Sequence, residues 1–126
     1  MAPRCYERHG IRVAEFTKTG YEVRNDRDAI EIISEASACR AEMIVIPVER
    51  LGEDFFRLKT RVAGEILQKF VTYRKRVVIW GDITAPLRES SSFRDFVYEC
   101  NAGREIWFVT DLGELDHRLQ AASGES

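Results

Sequence analysis

The sequence predicts a single α/β domain built on a mainly parallel sheet. Three short segments, residues 43–48, 77–80 and 106–109, are rich in β-branched or aromatic side chains and carry no charge. Such segments are typical of strands buried on both faces of a sheet. Helical patterns separate them, and this alternation is typical of right-handed βαβ units. The predicted element order is β-β-α-β-α-β-α-β-α over residues 1–122, followed by a frayed tail at residues 123–126.

The chain begins with a predicted β-hairpin. Residues 4–7 and 11–17 flank a glycine-containing connector at residues 8–10, as in many hairpin turns. Alternation in the second segment places Val13 on one face of the sheet and Phe16 on the other. The hairpin is therefore expected as an antiparallel edge beside the parallel strands.

Two helices are predicted after the hairpin and after the first buried strand. Asn25 or Asp26 caps the first of them, which extends to Cys39. The longest helical pattern covers residues 52–73 and has a broad apolar face. Cations follow this pattern directly, as the dipole of a helix favours at its C-terminus.

The last two helices are predicted from capping-box spacings. Ser92 and Asp95 have this spacing before the third helix, and Asp111 and Glu114 have it before the fourth. Residues 86–91, which precede the third helix, are polar and are expected to form a loop.

The balance of charge argues against a nucleic-acid-binding protein. The chain has 126 residues, with 19 basic and 21 acidic side chains and a net charge of -2, whereas nucleic-acid binders carry a basic surplus. The first residues contain no apolar segment of the signal-peptide kind, and the longest apolar segments are too short to span a bilayer. We therefore expect a cytoplasmic protein with no nucleic-acid or membrane partner.

The three cysteines are predicted to be free thiols. Cys5, Cys39 and Cys100 are far apart in the sequence and form no paired motif. A disulfide framework or a zinc site requires closer or more numerous ligands. The sequence therefore predicts no disulfide and no bound metal.

The second half of the chain carries a set of recognisable motifs. They are FFRLKT at residues 55–60, AGEILQKF at residues 63–70 and then Tyr73-Arg74. Further residues of the same pattern are Gly81, Asp82, Ser92, Phe93, Arg94, Asp95, Phe96, Glu99, Asn101, Gly103 and Phe108. The pattern resembles a bacterial family known as domain of unknown function 4180 over nearly the whole chain. The resemblance implies no activity, because the family is defined by sequence alone.

The predicted element order also resembles that of STAS domains, the fold of anti-sigma-factor antagonists. Those domains carry a phosphorylatable serine directly after a central strand, where the next helix opens. The corresponding residues here, 48–54, contain neither serine nor threonine. The resemblance therefore implies a fold but not that phosphorylation switch, and a fold alone does not define a function.

Ligands in open α/β sheets gather beyond the carboxyl ends of the strands, where this chain carries Arg50, Asp82 and Asp111. Paired carboxylates are able to hold Mg²⁺ or to exchange protons. The alternative is structural, since Asp111 has the spacing of an N-cap with Glu114, and Asp82 follows Gly81 as in a turn. We favour the structural interpretation, because local geometry accounts for both carboxylates.

Arg61, Glu65 and Gln68 form a polar stripe on the second predicted helix, and Gly64 lies beside it. A polar stripe is ordinarily a solvated helix face. A glycine inside a helix costs about 1 kcal/mol relative to alanine, and the apolar face does not require one here. The missing side chain permits a second backbone or a ligand to approach closely. The sequence leaves open whether Gly64 marks such a contact or a neutral substitution.

A second polar cluster surrounds the third predicted helix. Ser92 and Asp95 are explained as caps, whereas Arg94 and Glu99 are not. Arg94 suits bidentate binding of a carboxylate or a phosphate. The interpretation that we favour is an ion pair of Arg94 with Asp95 or Glu99 within the fold.

No complete catalytic or cofactor motif is present in the sequence. The chain contains no G-x-S-x-G, no P-loop and no G-x-G-x-x-G. The two histidines, His9 and His117, fall in a turn and in the terminal helix, which suggests no catalytic triad. We therefore expect no cofactor and favour a non-enzymatic protein.

Two functions follow from these observations. The first is an interaction or regulatory module that forms a homodimer, or binds a regulatory protein, through the face of Gly64 with Tyr73 as an aromatic anchor. The alternative is a small-molecule-binding protein or a small enzyme whose polar cluster comprises Arg61, Glu65, Asp82 and Arg94. A deep pocket around these four residues favours the alternative, and a flat surface around Gly64 favours the module.

Overall fold

A five-stranded sheet forms the centre of the computed structural model, which describes residues 2–122. The strands are β1 (Arg4–Arg8), β2 (Ile11–Glu15), β3 (Met43–Pro47), β4 (Arg76–Trp80) and β5 (Ile106–Val109). They lie side by side in chain order; β1 is antiparallel to β2, and β2 to β5 are parallel. The predicted sheet, with its antiparallel hairpin at one edge, is confirmed. The predicted tail at residues 123–126 lies outside the described residues.

Five α-helices in residues 2–122 connect and cover the strands. They are α1 (Asp26–Ala38), α2 (Val62–Thr72), α3 (Thr84–Glu89), α4 (Ser91–Ala102) and α5 (Leu112–Ala122). Right-handed crossovers between strands that always advance in one direction place their helices on one face of the sheet. Accordingly α1, α2 and α4 pack on one face, whereas α5 packs on the other. Within residues 2–122 no helix is both long and apolar enough to cross a membrane.

The core is divided in two by the sheet, and β3 shows the division. All five of its residues are buried. Ile44 and Ile46 face the layer of α1, α2 and α4, while Met43 and Val45 face α5. Each fully buried side chain of this size contributes about 1.5–3 kcal/mol, so both faces of β3 have to be covered.

The hairpin turn and the first helix start as the sequence predicts. His9 and Gly10 connect β1 to β2, and both have positive φ angles, 52° and 80°. Two positive φ angles are the requirement of the tight turn that matches the twist of antiparallel strands. Asn25 caps α1, because its side-chain oxygen accepts a hydrogen bond of 2.9 Å from the backbone N–H of Asp28.

The prediction of one long helix over residues 52–73 is wrong. Two short 3₁₀ helices, Glu53–Phe56 and Leu58–Thr60, precede α2. Arg61 adopts a left-handed conformation with φ 67° and separates the second 3₁₀ helix from α2. The Thr60 hydroxyl stabilises the break: it lies 2.6 Å from the carbonyl oxygen of Asp54 and 3.3 Å from the backbone nitrogen of Val62.

Residues 86–91 were expected to form a loop, and this prediction is also wrong. Most of them belong to α3, in which Pro86 occupies the third position. A proline is tolerated there because an N–H in the first turn has no acceptor within the helix. The cap of α4 is Ser90 rather than Ser92, since the Ser90 hydroxyl accepts from the backbone N–H of Phe93 at 3.1 Å.

The prediction of three free thiols is wrong as well. Cys5 and Cys39 form a disulfide, and Cys100 is free. The two bonded cysteines are 34 positions apart in sequence, so their spacing does not reveal the pair. The bond becomes visible only once the sheet has placed β1 next to the end of α1.

Phe93 provides a test of the larger core. Its ring is fully buried and lies within 6.0 Å, between centroids, of the rings of Phe56 and Phe108. We expect Phe93→Ala to lower the free energy of unfolding by about 3–5 kcal/mol, because the lost burial is compounded by a cavity. Tyr98→Ala in the same helix is the control; its side chain is 77% exposed, and its cost should stay under about 0.5 kcal/mol. If urea denaturation shows that both variants lose the same free energy of unfolding, this packing is contradicted.

Asp116 provides a pH-dependent test of how α5 is fastened to the hairpin. One of its oxygens lies 3.0 Å from Arg8 Nη1 and 3.1 Å from His9 Nε2. The Arg8 hydrogen bond, and to a lesser extent His9, lowers the pKa of the Asp116 carboxyl. A lowered carboxyl pKa stabilises the fold above the unfolded value, and this contribution disappears as the pH falls through the folded value.

The stability difference between the wild type and Asp116→Asn should therefore be constant near neutral pH. It should shrink as the pH falls below about 4, the ordinary range of an aspartate. Urea denaturation at a series of pH values measures it, and a difference that persists unchanged in acid excludes a role for the carboxylate.

Candidate functional site

Arg50 occupies the space after β2 and β3, at the edge of the sheet where ligands gather in open α/β folds. The side chain is buried, with 4% of its surface exposed. Its Nε donates to the carbonyl oxygen of Tyr21 at 2.7 Å, and its Nη1 donates to those of Thr17 at 3.0 Å and Thr19 at 3.3 Å. The loop after β2 is thus wrapped around a guanidinium.

The fit between Arg50 and this loop leaves no room for a side chain at Gly20. A Cβ there would stand 2.9 Å from the central carbon of the guanidinium, and Gly20 has a φ of 130°. The Tyr21 ring lies beside the same group, with its centroid 5.0 Å away. Backbone carbonyls and an aromatic face therefore stabilise the buried charge. This arrangement suits a structural clamp.

The two carboxylates at the strand ends are each engaged by the backbone that follows. Asp82 accepts from the backbone N–H of Thr84 at 2.9 Å and from its hydroxyl at 2.5 Å. The pKa of the exposed Asp82 carboxyl is lowered, first by the hydroxyl and then by the backbone hydrogen bond. Asp111 accepts from the N–H of Glu114 at 2.8 Å, and Glu114 accepts from the N–H of Thr110 at 2.8 Å. The turn and capping-box interpretation accounts for both residues.

The outer face of α2 is the polar surface that the sequence singled out. We define it by Arg61, Gly64, Glu65 and Gln68, all of which are exposed. A Cβ at Gly64 would have no heavy atom within 4 Å. The ion pairs of the described residues include none between Arg61 and Glu65, although they are four positions apart. Gln68 donates to the hydroxyl of Thr72 at 3.4 Å, along the same helix.

Tyr73 is the C-cap residue of α2 and is 51% exposed. Its exposed ring adds an apolar surface at the C-terminal end of α2. Aromatic side chains of this kind serve as anchors in protein interfaces.

Arg94 and Glu99 are exposed on α4. The sequence predicts an ion pair of Arg94 with Asp95 or Glu99, but the ion pairs of the described residues include neither. Arg94 instead contacts α3. Its Nη1 donates to the carbonyl oxygen of Leu87 at 2.8 Å and so ties α4 to the end of α3. The sequence does not predict this contact, because its pattern indicates a loop at residues 86–91.

Two grooves are lined in part by residues 52–62, and neither is lined by Arg61, Glu65, Asp82 or Arg94. One groove has a volume of about 390 Å³, and its charged lining residues are Glu22, Arg24, Glu53 and Asp54. The other, of about 430 Å³, is lined by Phe56, Arg57, Leu58, Lys59, Pro86, Glu89, Ser90 and Ser92. Among the residues that the structure describes, no group of three or more His, Cys, Asp and Glu side chains is arranged to hold a metal ion.

Arg50→Met tests the clamp. The substitution keeps an unbranched side chain but leaves the carbonyls of Thr17, Thr19 and Tyr21 without this donor. Each hydrogen bond contributes about 0.5–1.5 kcal/mol net, so we expect the loss of all three to lower the free energy of unfolding by about 2–4 kcal/mol in urea denaturation. Hydrogen exchange in residues 17–21 should rise at the same time.

The matched control is Arg94→Met, which removes one hydrogen bond from an exposed side chain. Its cost should stay below about 1 kcal/mol. A similar loss in both variants, or unchanged exchange in residues 17–21, refutes the clamp.

The comparisons with known proteins give a family but no functional relative. A family model described as Domain of unknown function (DUF4180) matches residues 8–119. No curated protein and no solved structure matches the chain. The matched segment begins at the last residue of β1, ends within α5 and includes every candidate residue described above. The chain therefore belongs to the family of domains of unknown function DUF4180.

Proposed function

We propose that this domain is a non-enzymatic interaction module that forms a homodimer through the outer face of α2. The observation that carries the proposal is the open space at Gly64, where no heavy atom lies within 4 Å of a Cβ position. A helix surface without a side chain permits the backbone of a second chain to approach closely.

The position of Gly64 in α2 changes the energetic argument. Because α2 begins at Val62, Gly64 lies in its first turn, where a glycine costs less than the interior value of about 1 kcal/mol. The proposal therefore depends on the shape and charge of the face more than on the cost of the glycine.

The charges of the outer face of α2 are suited to a two-fold axis. A two-fold interface presents the same patch twice, so that Arg61 of one chain meets Glu65 of the other. Both side chains are exposed, and neither is paired with the other within the chain. Such a pair contributes under about 1 kcal/mol when it stays solvated. The backbone contact at Gly64 and the ring of Tyr73 would supply the remaining energy.

The alternative, a small-molecule site or enzyme built on Arg61, Glu65, Asp82 and Arg94, has less support. All four side chains are exposed, whereas catalytic acids and bases are commonly tuned by burial. The two hydrogen bonds from Thr84 lower the pKa of Asp82, which disfavours it as a proton donor near neutral pH. An α/β module of the STAS type, which the element order resembles, docks on regulatory proteins, and a regulatory protein is the second occupant that we consider for this face.

Gly64→Leu tests the homodimer by sedimentation at tens of micromolar. A leucine should separate the two backbones, and a clash of about 1–3 kcal/mol corresponds to roughly tenfold weaker association or more. Ala121→Leu is the control, since Ala121 is an exposed small residue of α5 on the opposite face of the sheet. A wild type that sediments as a monomer, or a Gly64→Leu variant that associates as tightly as Ala121→Leu, overturns the proposal.

Exchange of the charges at Arg61 and Glu65 tests whether these two side chains meet across the two-fold axis. Arg61→Glu should weaken association because two carboxylates then meet across the axis. The double variant Arg61→Glu with Glu65→Arg should restore it, because the pair is reversed and not removed. If the wild type is a dimer but the double variant associates no better than the single one, the interface lies elsewhere.

A further inference from the structure

The disulfide joins an edge strand to the helix layer. Cys5 lies in β1, which forms one end of the sheet and pairs with β2. Cys39 is the C-cap residue of α1. Both cysteines are partly exposed, and both pack against the margin of the larger core. A thiol or disulfide of low molecular weight is therefore able to reach the bond without unfolding of the core.

Cys100 is partly buried like the other two cysteines, but it has no disulfide partner within residues 2–122. It is the free cysteine of the described residues and packs against the core from α4. Burial, with a contribution from Glu99, raises the pKa of the Cys100 thiol to about 11. Since the thiolate is the reactive form, Cys100 should stay inert near neutral pH and serve as an internal reference.

We propose that Cys5 and Cys39 form a thiol–disulfide exchange site, which equilibrates with low-molecular-weight thiols and disulfides while the rest of the fold stays intact. In the oxidising direction, the Cys5 and Cys39 thiols react with one disulfide RS–SR through a mixed disulfide. The products are the Cys5–Cys39 bond and two RSH molecules. Two electrons pass from the cysteine sulfurs to RS–SR, and the two thiol protons end on the released RSH.

The ends of the bridge are held by contacts that do not involve sulfur. The end of α1 is fixed by Arg12, whose Nε donates to the carbonyl oxygen of Cys39 at 3.1 Å. The strand β1 keeps its five-residue register with β2, and the hydroxyl of Tyr6 donates to Glu15 at 2.9 Å. Reduction is therefore expected to loosen β1 without unfolding the domain.

A loosened β1 has a consequence for the surface. The outer side of an edge strand carries backbone groups that are free to pair with another strand. The disulfide restrains this edge from the α1 side, so its redox state controls how readily β1 separates from β2. This control is independent of the outer face of α2.

The test is a redox titration of the native wild-type protein in mixtures of reduced and oxidised glutathione. After equilibration, free thiols are alkylated without denaturant and are located by mass spectrometry. We expect Cys5 and Cys39 to become alkylated together in one two-electron step as the buffer becomes more reducing, with Cys100 unlabelled until the protein is denatured. Two outcomes overturn the proposal: a bond that opens only on denaturation, and two thiols that stay free in the most oxidising buffer.

Two variants and a second readout complete the test. Cys100→Ser should leave the titration unchanged, whereas Cys5→Ser should abolish the paired step and leave Cys39 to form a mixed disulfide with glutathione. Hydrogen exchange in Arg4–Arg8 should become at least about tenfold faster on reduction, as expected for a loosened edge, while Arg76–Trp80 in β4 stays protected. Equal exchange in β1 before and after reduction overturns its coupling to the bond, and loss of protection in β4 shows that the bond holds the whole fold.

Discussion

Burial of β3 on both faces is the constraint on which the rest of the structure depends. Its alternating side chains leave no face free for solvent, so one helix layer is not enough. The crossovers supply α1, α2 and α4 on one side. On the other side, Leu115 and Leu119 of α5 complete the core, and Asp116 of the same helix reaches the hairpin at Arg8.

The margins of the α5 side are covered by cations that lie over aromatic rings. Arg76 and Arg118 lie 4.7 and 4.3 Å from the centroid of Trp107, and Lys18 lies 5.4 Å from that of Trp80. Long basic side chains cover apolar surface with their stems while their charged ends interact with the rings. A single helix is thus sufficient to cover this face of the sheet, because long basic side chains cover the apolar surface at the edges of the face.

The strand order explains why the carboxyl ends of the sheet are not an open crevice. Crevices in α/β sheets form where the strand order reverses, and here the order runs from β1 to β5 without reversal. The space after β2 and β3 is instead filled by Arg50 and the loop that it holds. The two surfaces that we propose for function, the outer face of α2 and the edge strand β1, lie away from the sheet ends.

Local chemistry determined much of this protein from its sequence. The buried strands, the hairpin at His9-Gly10, the Asn25 cap and the Asp111 capping box all depend on residues within a few positions of one another. The apolar face of residues 52–73 was also read correctly as core, because Phe55, Ile66 and Phe70 are buried whether or not the helix is continuous. Hydrophobic periodicity indicates which side chains are buried, but it does not reveal an interruption of the helix such as the one at Arg61.

Tertiary structure alone decided which distant groups meet. Cys5 reaches Cys39, and Arg50 reaches carbonyls about thirty positions earlier, because crossovers bring the loop after β2 and the end of α1 to places that no spacing encodes. The environment of the candidate residues was decided in the same way. Arg61, Glu65, Asp82 and Arg94 have the side chains of a site, yet all four are exposed, since solvent access depends on the packing of whole elements and not on the residues themselves.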